Sequence, residues 1–182
     1  MENTNVAEEV AFNLPYQIHY QAPIVKIEVN SSVIKAITDE VNHQKVSVSS
    51  QYGDNIPHEL VGLFEKPPVA VALHSMAHQI QLAIPLVVLS STHDVNCLID
   101  REDSNIVAYF YDTTDGGNGA SEEIGKHLPL FATKAKSLAS TCDCSYGCSK
   151  CLIQLGCPQQ DERLHKTVGL FLPEAIAASY SA

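Results

Sequence analysis

The chain has 182 residues, of which 45% are hydrophobic and 18% are charged. This is long and apolar enough for one full hydrophobic core, whereas a second core would need more residues. The formal net charge of −10 repels phosphate backbones, and no run of lysine or arginine forms a basic patch, so the composition disfavours autonomous binding to nucleic acid.

The start of the chain and its longest apolar segment predict a soluble protein. Residues 1–22 begin with a polar, acidic stretch that lacks the apolar core of a signal peptide. We expect a loosely ordered lead-in there and a single domain over 23–182. Residues 67–89 are apolar but are interrupted by histidine, serine and glutamine, which is too polar for a membrane span. The sequence therefore predicts a cytoplasmic protein without membrane contact.

Two segments near the start have the alternating pattern of half-buried strands. Residues 24–30 alternate apolar and polar side chains, and residues 45–50 do the same with β-branched residues. The segment 32–43 between them fits either a short helix or a further strand. Residues 52–57 are rich in Gly, Asn, Asp and Pro and predict a loop.

The middle of the chain predicts a buried helix and then a central strand. Residues 67–89 repeat apolar side chains at a spacing of three or four, and Pro85 is expected to end or kink the helix because proline lacks an NH donor. Residues 106–112 are an almost continuous apolar run with β-branched and aromatic residues, which is typical of a central strand. Cys97 has apolar neighbours and is predicted to lie in the core.

The last third predicts two amphipathic helical regions. Residues 120–140 repeat apolar side chains every three or four positions, and Pro129 is expected to divide this helix. Residues 163–179 predict a closing helix with an internal proline, Pro173. The predicted fold class is therefore mixed α/β, with a central sheet packed by helices and a C-terminal cysteine-rich segment that binds zinc.

Five of the six cysteines fall within residues 141–157, with the spacing C-x-C-x3-C-x2-C-x5-C. They are Cys142, Cys144, Cys148, Cys151 and Cys157. In a reducing compartment, such a cluster indicates metal or redox chemistry before disulfides. A tetrahedral zinc site needs four thiolates, so any four of the five would suffice. Cys148 and Cys151 form the first pair and Cys144 follows, while Cys142 and Cys157 compete for the last place.

Two other uses of these cysteines are considered beside structural zinc. An iron–sulfur cluster also takes four thiolates, and a redox dithiol uses a C-x2-C pair, although the strand and helix that usually flank such a pair are lacking here. We favour structural zinc over both. A catalytic zinc ion is not expected, because an all-cysteine shell leaves no open position for a reacting water. Gly147 is expected to let the backbone turn towards the sulfurs.

A glycine-rich turn over residues 113–119 is a second candidate site. Its glycines are Gly116, Gly117 and Gly119. The turn lacks the lysine of a P-loop and the spacing of a dinucleotide site. We interpret it as a chain reversal that glycine permits, with ligand binding at exposed NH groups as the alternative. Asp112 and Asp115 would supply the acidic groups of such a site.

Two histidines on the predicted buried helix are a third candidate. His74 and His78 are four residues apart and share a helix face. A second metal site that uses both with His93 or Asp94 is one interpretation, and interior packing with hydrogen-bonded imidazoles is the other. The alternative function is a metal-dependent hydrolase or ligand-binding protein with its site near these histidines, Asp112 and the glycine turn.

Three stretches occur together in one order: HSMAHQIQLAIPL (74–86), IVAYFYDTTDGGNGAS (106–121) and CDCSYGCSKCLIQLGCPQQDERLHK (142–166). In this combination the chain resembles the C-terminal zinc-binding domain of MrfA-type superfamily 2 DNA-repair helicases, which also occurs in helicase-associated proteins of phage-defence systems. The resemblance covers about residues 70–175. In that family the cysteines hold a structural zinc ion, and the domain accompanies an ATP-driven motor.

The chain also departs from the family pattern. It contains no Walker A sequence, no Asp-Glu-x-His box and no helicase core, so ATPase and unwinding activity do not carry over. Residues 164–166 are Leu-His-Lys where the family has Leu-Asp-Lys. The resemblance therefore implies a standalone, non-catalytic accessory domain with structural Zn²⁺, acting with a separately encoded helicase or ATPase in DNA processing, repair or defence. The acidic charge favours a protein partner over direct contact with DNA.

Overall fold

A computed structural model of the chain describes residues 19–179, so nearly all of the predicted lead-in (1–22) lies outside the described residues. In chain order the elements are β1 (Ile24–Ile27), α1 (Ser31–Tyr52), α2 (His58–Glu65), α3 (Pro68–Ala83), β2 (Val95–Glu102), β3 (Asn105–Asp112), α4 (Ala120–Lys126), α5 (Leu128–Ser140) and α6 (Lys166–Ser179). The predicted class, mixed α/β with a cysteine cluster towards the C-terminus, is confirmed.

The three strands form one antiparallel sheet in the order β1-β3-β2. Ile24 of β1 lies opposite Tyr111 of β3, and Val95 of β2 lies opposite Asp112 at the end of β3. The predicted central strand is therefore confirmed. Strand β2 is not evident from the sequence, because its last three residues are charged and exposed and its apolar part is short. Cys97 in β2 is buried, as expected.

Helix α3 is the centre of the core. It packs against α1, α2, α5, α6 and the strands β2 and β3, and all but two of its sixteen residues are buried. By length and composition, Pro68–Leu86 could cross a membrane, but 83% of its apolar window is buried inside the protein, as in the core helix of a globular domain. Pro85 ends the α-helix as predicted, since Ile84–Leu86 is a 3-10 turn.

The predicted strand at residues 45–50 is wrong, because this segment and the one before it belong to the long helix α1. Ile37, Val41 and Val48 are buried at helical spacing, whereas Val46 is 70% exposed. A β-branched residue lowers helix propensity by only a few tenths of a kcal/mol. Burial of a helical stripe against the core therefore outweighs the local preference for a strand.

Helices α4, α5 and α6 position the cysteine-rich segment. The helix predicted over 120–140 is divided at His127, just before Pro129, and α6 contains Pro173 in its interior. Both observations confirm the predictions. Since α5 and α6 pack on each other and on α3, the connecting segment 141–165 is held against the end of this helical layer.

Candidate metal centre

Four cysteines lie together in the segment between α5 and α6. They are Cys142, Cys144, Cys148 and Cys151, and all their Sγ atoms lie within 4.8 Å of one another. Four of the six separations are between 3.3 and 3.9 Å. Sulfur ligands placed 2.3 Å from a tetrahedral zinc ion lie about 3.8 Å apart. The four sulfurs therefore fit the corners of one zinc-centred tetrahedron.

The backbone of the cluster turns at Gly147, as predicted. Its φ is 142°, and a Cβ atom there would lie 2.5 Å from Cδ2 of Leu152, so only glycine fits. After this turn, the NH groups of Cys151, Leu152 and Ile153 donate to the carbonyl oxygen of Cys148 at 2.9–3.1 Å. This compact turn brings the two sulfurs of the C-x2-C pair to the same point.

The thiols of the cluster differ in their tendency to ionise. Hydrogen bonds from the backbone of Cys144 and then from the Cys148 thiol lower the pKa of Cys142 to about 7. Burial raises the pKa of Cys144 and of Cys151. The Cys142 thiol is thus ionised more readily than those of Cys144 and Cys151, whose thiolates a bound cation would stabilise. Zinc binding supplies that cation and releases their protons.

Lys166, the first residue of α6, fastens the cluster to the helical layer. Its Nζ donates to the carbonyl oxygens of Cys142 at 2.5 Å and Cys144 at 2.7 Å. Its backbone NH donates to the carbonyl oxygen of Tyr146 at 2.7 Å. The ammonium also acts to lower the pKa of Cys144, against the larger effect of burial. A positive charge here offsets part of the negative charge of four thiolates around one ion.

We expect Lys166→Met to weaken zinc binding about 10- to 100-fold, the usual effect of removing a residue that supports metal ligands. Methionine keeps the length of the side chain but removes its charge and NH donors. Zinc affinity is measured by competition with a coloured chelator. Lys150→Met is the matched control, because it removes the same charge from an exposed position between two of the cysteines. Equal losses in both variants would contradict the role of Lys166.

Cys157 does not join the other four cysteines. Its Sγ lies 3.4 Å from Nε2 of His74, and together with His78 it forms a separate group of ligand atoms within 4.8 Å of one another. Burial lowers the pKa of His74 to about 3 and also lowers that of His78. The positions of the sulfur atoms therefore favour Cys142 over Cys157 as the fourth ligand beside Cys144 and the C-x2-C pair. Which thiolates bind the ion stays a prediction.

Three residues that the sequence suggested as companions of the two histidines lie outside this group. They are His93, Asp94 and Asp112. The Asp94 carboxylate accepts hydrogen bonds from Ser90 and Ser91 within its own loop, at 2.7 Å each. His93 lines a cavity that also borders His78. The third potential ligand is therefore Cys157. The sequence places it among five candidates for the cysteine site, because spacing does not show which element the last turn faces.

Asp112 accepts hydrogen bonds from backbone NH groups of the glycine turn and of the helix that follows it. Its buried carboxylate accepts hydrogen bonds from the NH groups of Asn118 at 2.9 Å, Gly119 at 2.8 Å and Ser121 at 2.8 Å. Gly117 has a φ of 74°, and a Cβ there would lie 2.6 Å from the carboxylate. These NH groups are already bonded within the chain. The geometry thus supports chain reversal as the role of the turn and leaves them no free capacity for an anion.

Comparison with known proteins finds a similarity for the central part of the chain. Residues 76–152 match the family model of the MrfA Zn-binding domain. No curated protein is similar enough to count as a match. The solved structure described as DUF1998 helicase MrfA bound to DNA is 23% identical, with a TM-score of 0.43 over 57% of this chain and 14% of that chain. The same helicase bound to DNA and AMPPNP is 21% identical, with a TM-score of 0.46 over 58% and 14%.

The chain spans 14% of the length of those helicase chains. The family model covers less than half of the residues of the present chain. The matched part includes the strands β2 and β3, the glycine turn and the four-cysteine group. The family and the sulfur geometry together establish structural Zn²⁺ as the cofactor. Residues 76–152 thus match the MrfA Zn-binding domain, the domain that the glycine and cysteine motifs resemble.

Proposed function

We propose that this chain is a non-catalytic zinc-binding accessory domain that acts with a separately encoded helicase or ATPase in DNA processing, repair or defence. The match of residues 76–152 to a helicase zinc-binding domain carries the proposal. The four-cysteine group supports a structural ion, since four thiolates fill a tetrahedral shell and leave no place for a reacting water. The cytoplasm is the proposed location.

The charge of the chain bears on the kind of partner. With 21 acidic and 11 basic residues, the protein repels DNA at long range and attracts a basic protein surface. We therefore propose that it reaches DNA through the helicase partner. The zinc ion would fix the segment 141–165, so that its exposed side chains, among them Leu155 at 90% exposure, keep one arrangement for that partner.

The test is affinity purification of the tagged chain from its native host, followed by mass spectrometry. We expect a helicase or another ATPase in amounts close to those of the tagged chain. Tagged Cys151→Ser, which should lose the structural zinc, is the matched control and should lose the partner. A chain that purifies alone would contradict the accessory role.

Direct binding to DNA is measured separately by fluorescence anisotropy with labelled single- and double-stranded DNA. We expect weak binding at physiological salt. Tight binding that falls steeply as salt rises would show a nucleic-acid-binding module instead, because that slope counts the phosphates neutralised by basic residues.

A further inference from the structure

We propose that His74, His78 and Cys157 form a second metal site, which binds a zinc ion through two imidazole nitrogens and one thiolate and leaves one coordination position open. Two of the three residues lie outside the range matched by the zinc-binding family. The site is distinct from the four-cysteine group and independent of the proposed function.

The two imidazoles are oriented as metal ligands. Nδ1 of His74 lies 2.6 Å from the carbonyl oxygen of Glu162, and Nδ1 of His78 lies 2.9 Å from that of Leu152. A carbonyl oxygen only accepts, so each Nδ1 carries the hydrogen and each Nε2 presents a lone pair. Metal-binding histidines typically donate their other ring NH in this way. The Asp161 carboxylate, 3.4 Å from Nδ1 of His78, adds a negative charge behind that ring.

The position of the sulfur fits the same ion. Zinc bonds of about 2.0 Å to nitrogen and 2.3 Å to sulfur at a tetrahedral angle place the two atoms about 3.5 Å apart. Nε2 of His74 and Sγ of Cys157 are 3.4 Å apart. The backbone NH of Gln159 donates to the same sulfur at 3.3 Å, which helps to fix its position. The group thus has the ligand types, the spacing and a supporting hydrogen bond of a zinc site.

A cavity adjoins two of the three ligands, and we place the open fourth position on that side. A cavity of about 160 Å³ borders both His78 and Cys157, so an ion can reach these ligands without opening the core. Most of the other lining side chains are polar, among them His93 and Asn96. Three protein ligands and one accessible position are the arrangement that binds water or a small polar ligand on zinc. This differs from the four-cysteine group, whose ligands close the shell.

The loop after Cys157 is held in an unusual conformation. Three of its non-glycine residues have positive φ: Gln160 at 55°, Asp161 at 55° and Arg163 at 69°. Each such residue costs on the order of 1–3 kcal/mol and persists where surrounding contacts enforce it, often at functional sites. Here the loop delivers the Glu162 carbonyl to His74 and the sulfur to Nε2 of the same ring. A metal ion would join the Cys157 end of the loop to α3, and the hydrogen bond from His74 to the Glu162 carbonyl holds the other end.

The test counts zinc ions in the purified full-length chain by inductively coupled plasma mass spectrometry, after gel filtration has removed loosely bound metal. We expect two ions per chain in the wild type and one in Cys157→Ala and in His78→Gln. Cys97→Ser is the matched control, because it alters a buried cysteine that the site does not use, and it should retain two ions.

One ion per wild-type chain, or two ions that persist in Cys157→Ala, would overturn the proposal. A second measurement uses only the wild-type chain, so that it does not depend on whether the variants fold. Metal-depleted wild-type chain is titrated calorimetrically with zinc chloride at fixed pH. We expect two zinc ions bound per chain at saturation; saturation at one ion per refolded chain would overturn the proposal.

Discussion

Cys151→Ser is expected to release the structural zinc ion and to unfold the cysteine-rich segment. A serine hydroxyl does not replace a thiolate as a zinc ligand at neutral pH. Structural zinc ions bind with apparent free energies of about 10–16 kcal/mol, which is as large as the whole stability of a typical domain. The apolar cluster beneath the site contains Ala139, Leu152 and Leu164, and a core of this size cannot hold segment 141–165 without the ion.

Two measurements check this result: zinc per chain, and limited proteolysis with the cleavage sites identified by mass spectrometry. We expect loss of the structural ion and new cleavage within residues 141–165. An ion bound through Cys157 should be lost with it, because that residue lies in the same segment. Cys148→Ser should behave in the same way. Cys97→Ser makes the same chemical change at a buried cysteine of β2 and should keep the structural zinc. Loss of zinc in Cys97→Ser, or wild-type zinc and proteolysis in Cys151→Ser, would contradict the four-cysteine assignment.

Asp112→Ala is expected to destabilise the fold by about 3 kcal/mol or more. The substitution leaves three NH groups at the start of α4 without their acceptor, and each hydrogen bond to a charged group contributes about 1.5–3 kcal/mol. In a chain of this size, that loss lowers the melting temperature by about 6–12 °C. The measurement is thermal or urea unfolding followed by circular dichroism.

Asp115→Ala is the matched control in the same turn. Its carboxylate is exposed and accepts a hydrogen bond from the Gln21 NH at 3.1 Å, so its removal should cost less than about 1 kcal/mol. Asp112→Asn keeps one acceptor oxygen and should fall between the two variants. A similar loss in Asp112→Ala and Asp115→Ala would show that the turn does not depend on the buried carboxylate.

Local sequence patterns succeed here where the deciding interactions lie within a few residues. Pro85 and Pro129 mark helix boundaries because proline lacks the NH donor wherever the helix packs. The apolar run of β3 and the buried stripe of α3 identify the core elements, because both patterns are also set within a few residues. Residues 45–50 show the opposite case, since their β-branched side chains favour a strand locally while the surrounding core selects a helix.

The features of the candidate sites also divide into those set locally in the sequence and those set by the tertiary structure. The sequence by itself determined that thiols cluster, favoured zinc as their ion and predicted a turn at Gly147, because the spacing of cysteines and a sharp turn are local properties. Only the tertiary structure decided that Cys157 leaves the cluster for His74, 83 residues away, and that Asp112 bonds the start of α4. Those groupings depend on how segment 141–165 folds back onto α3, which no short-range spacing records.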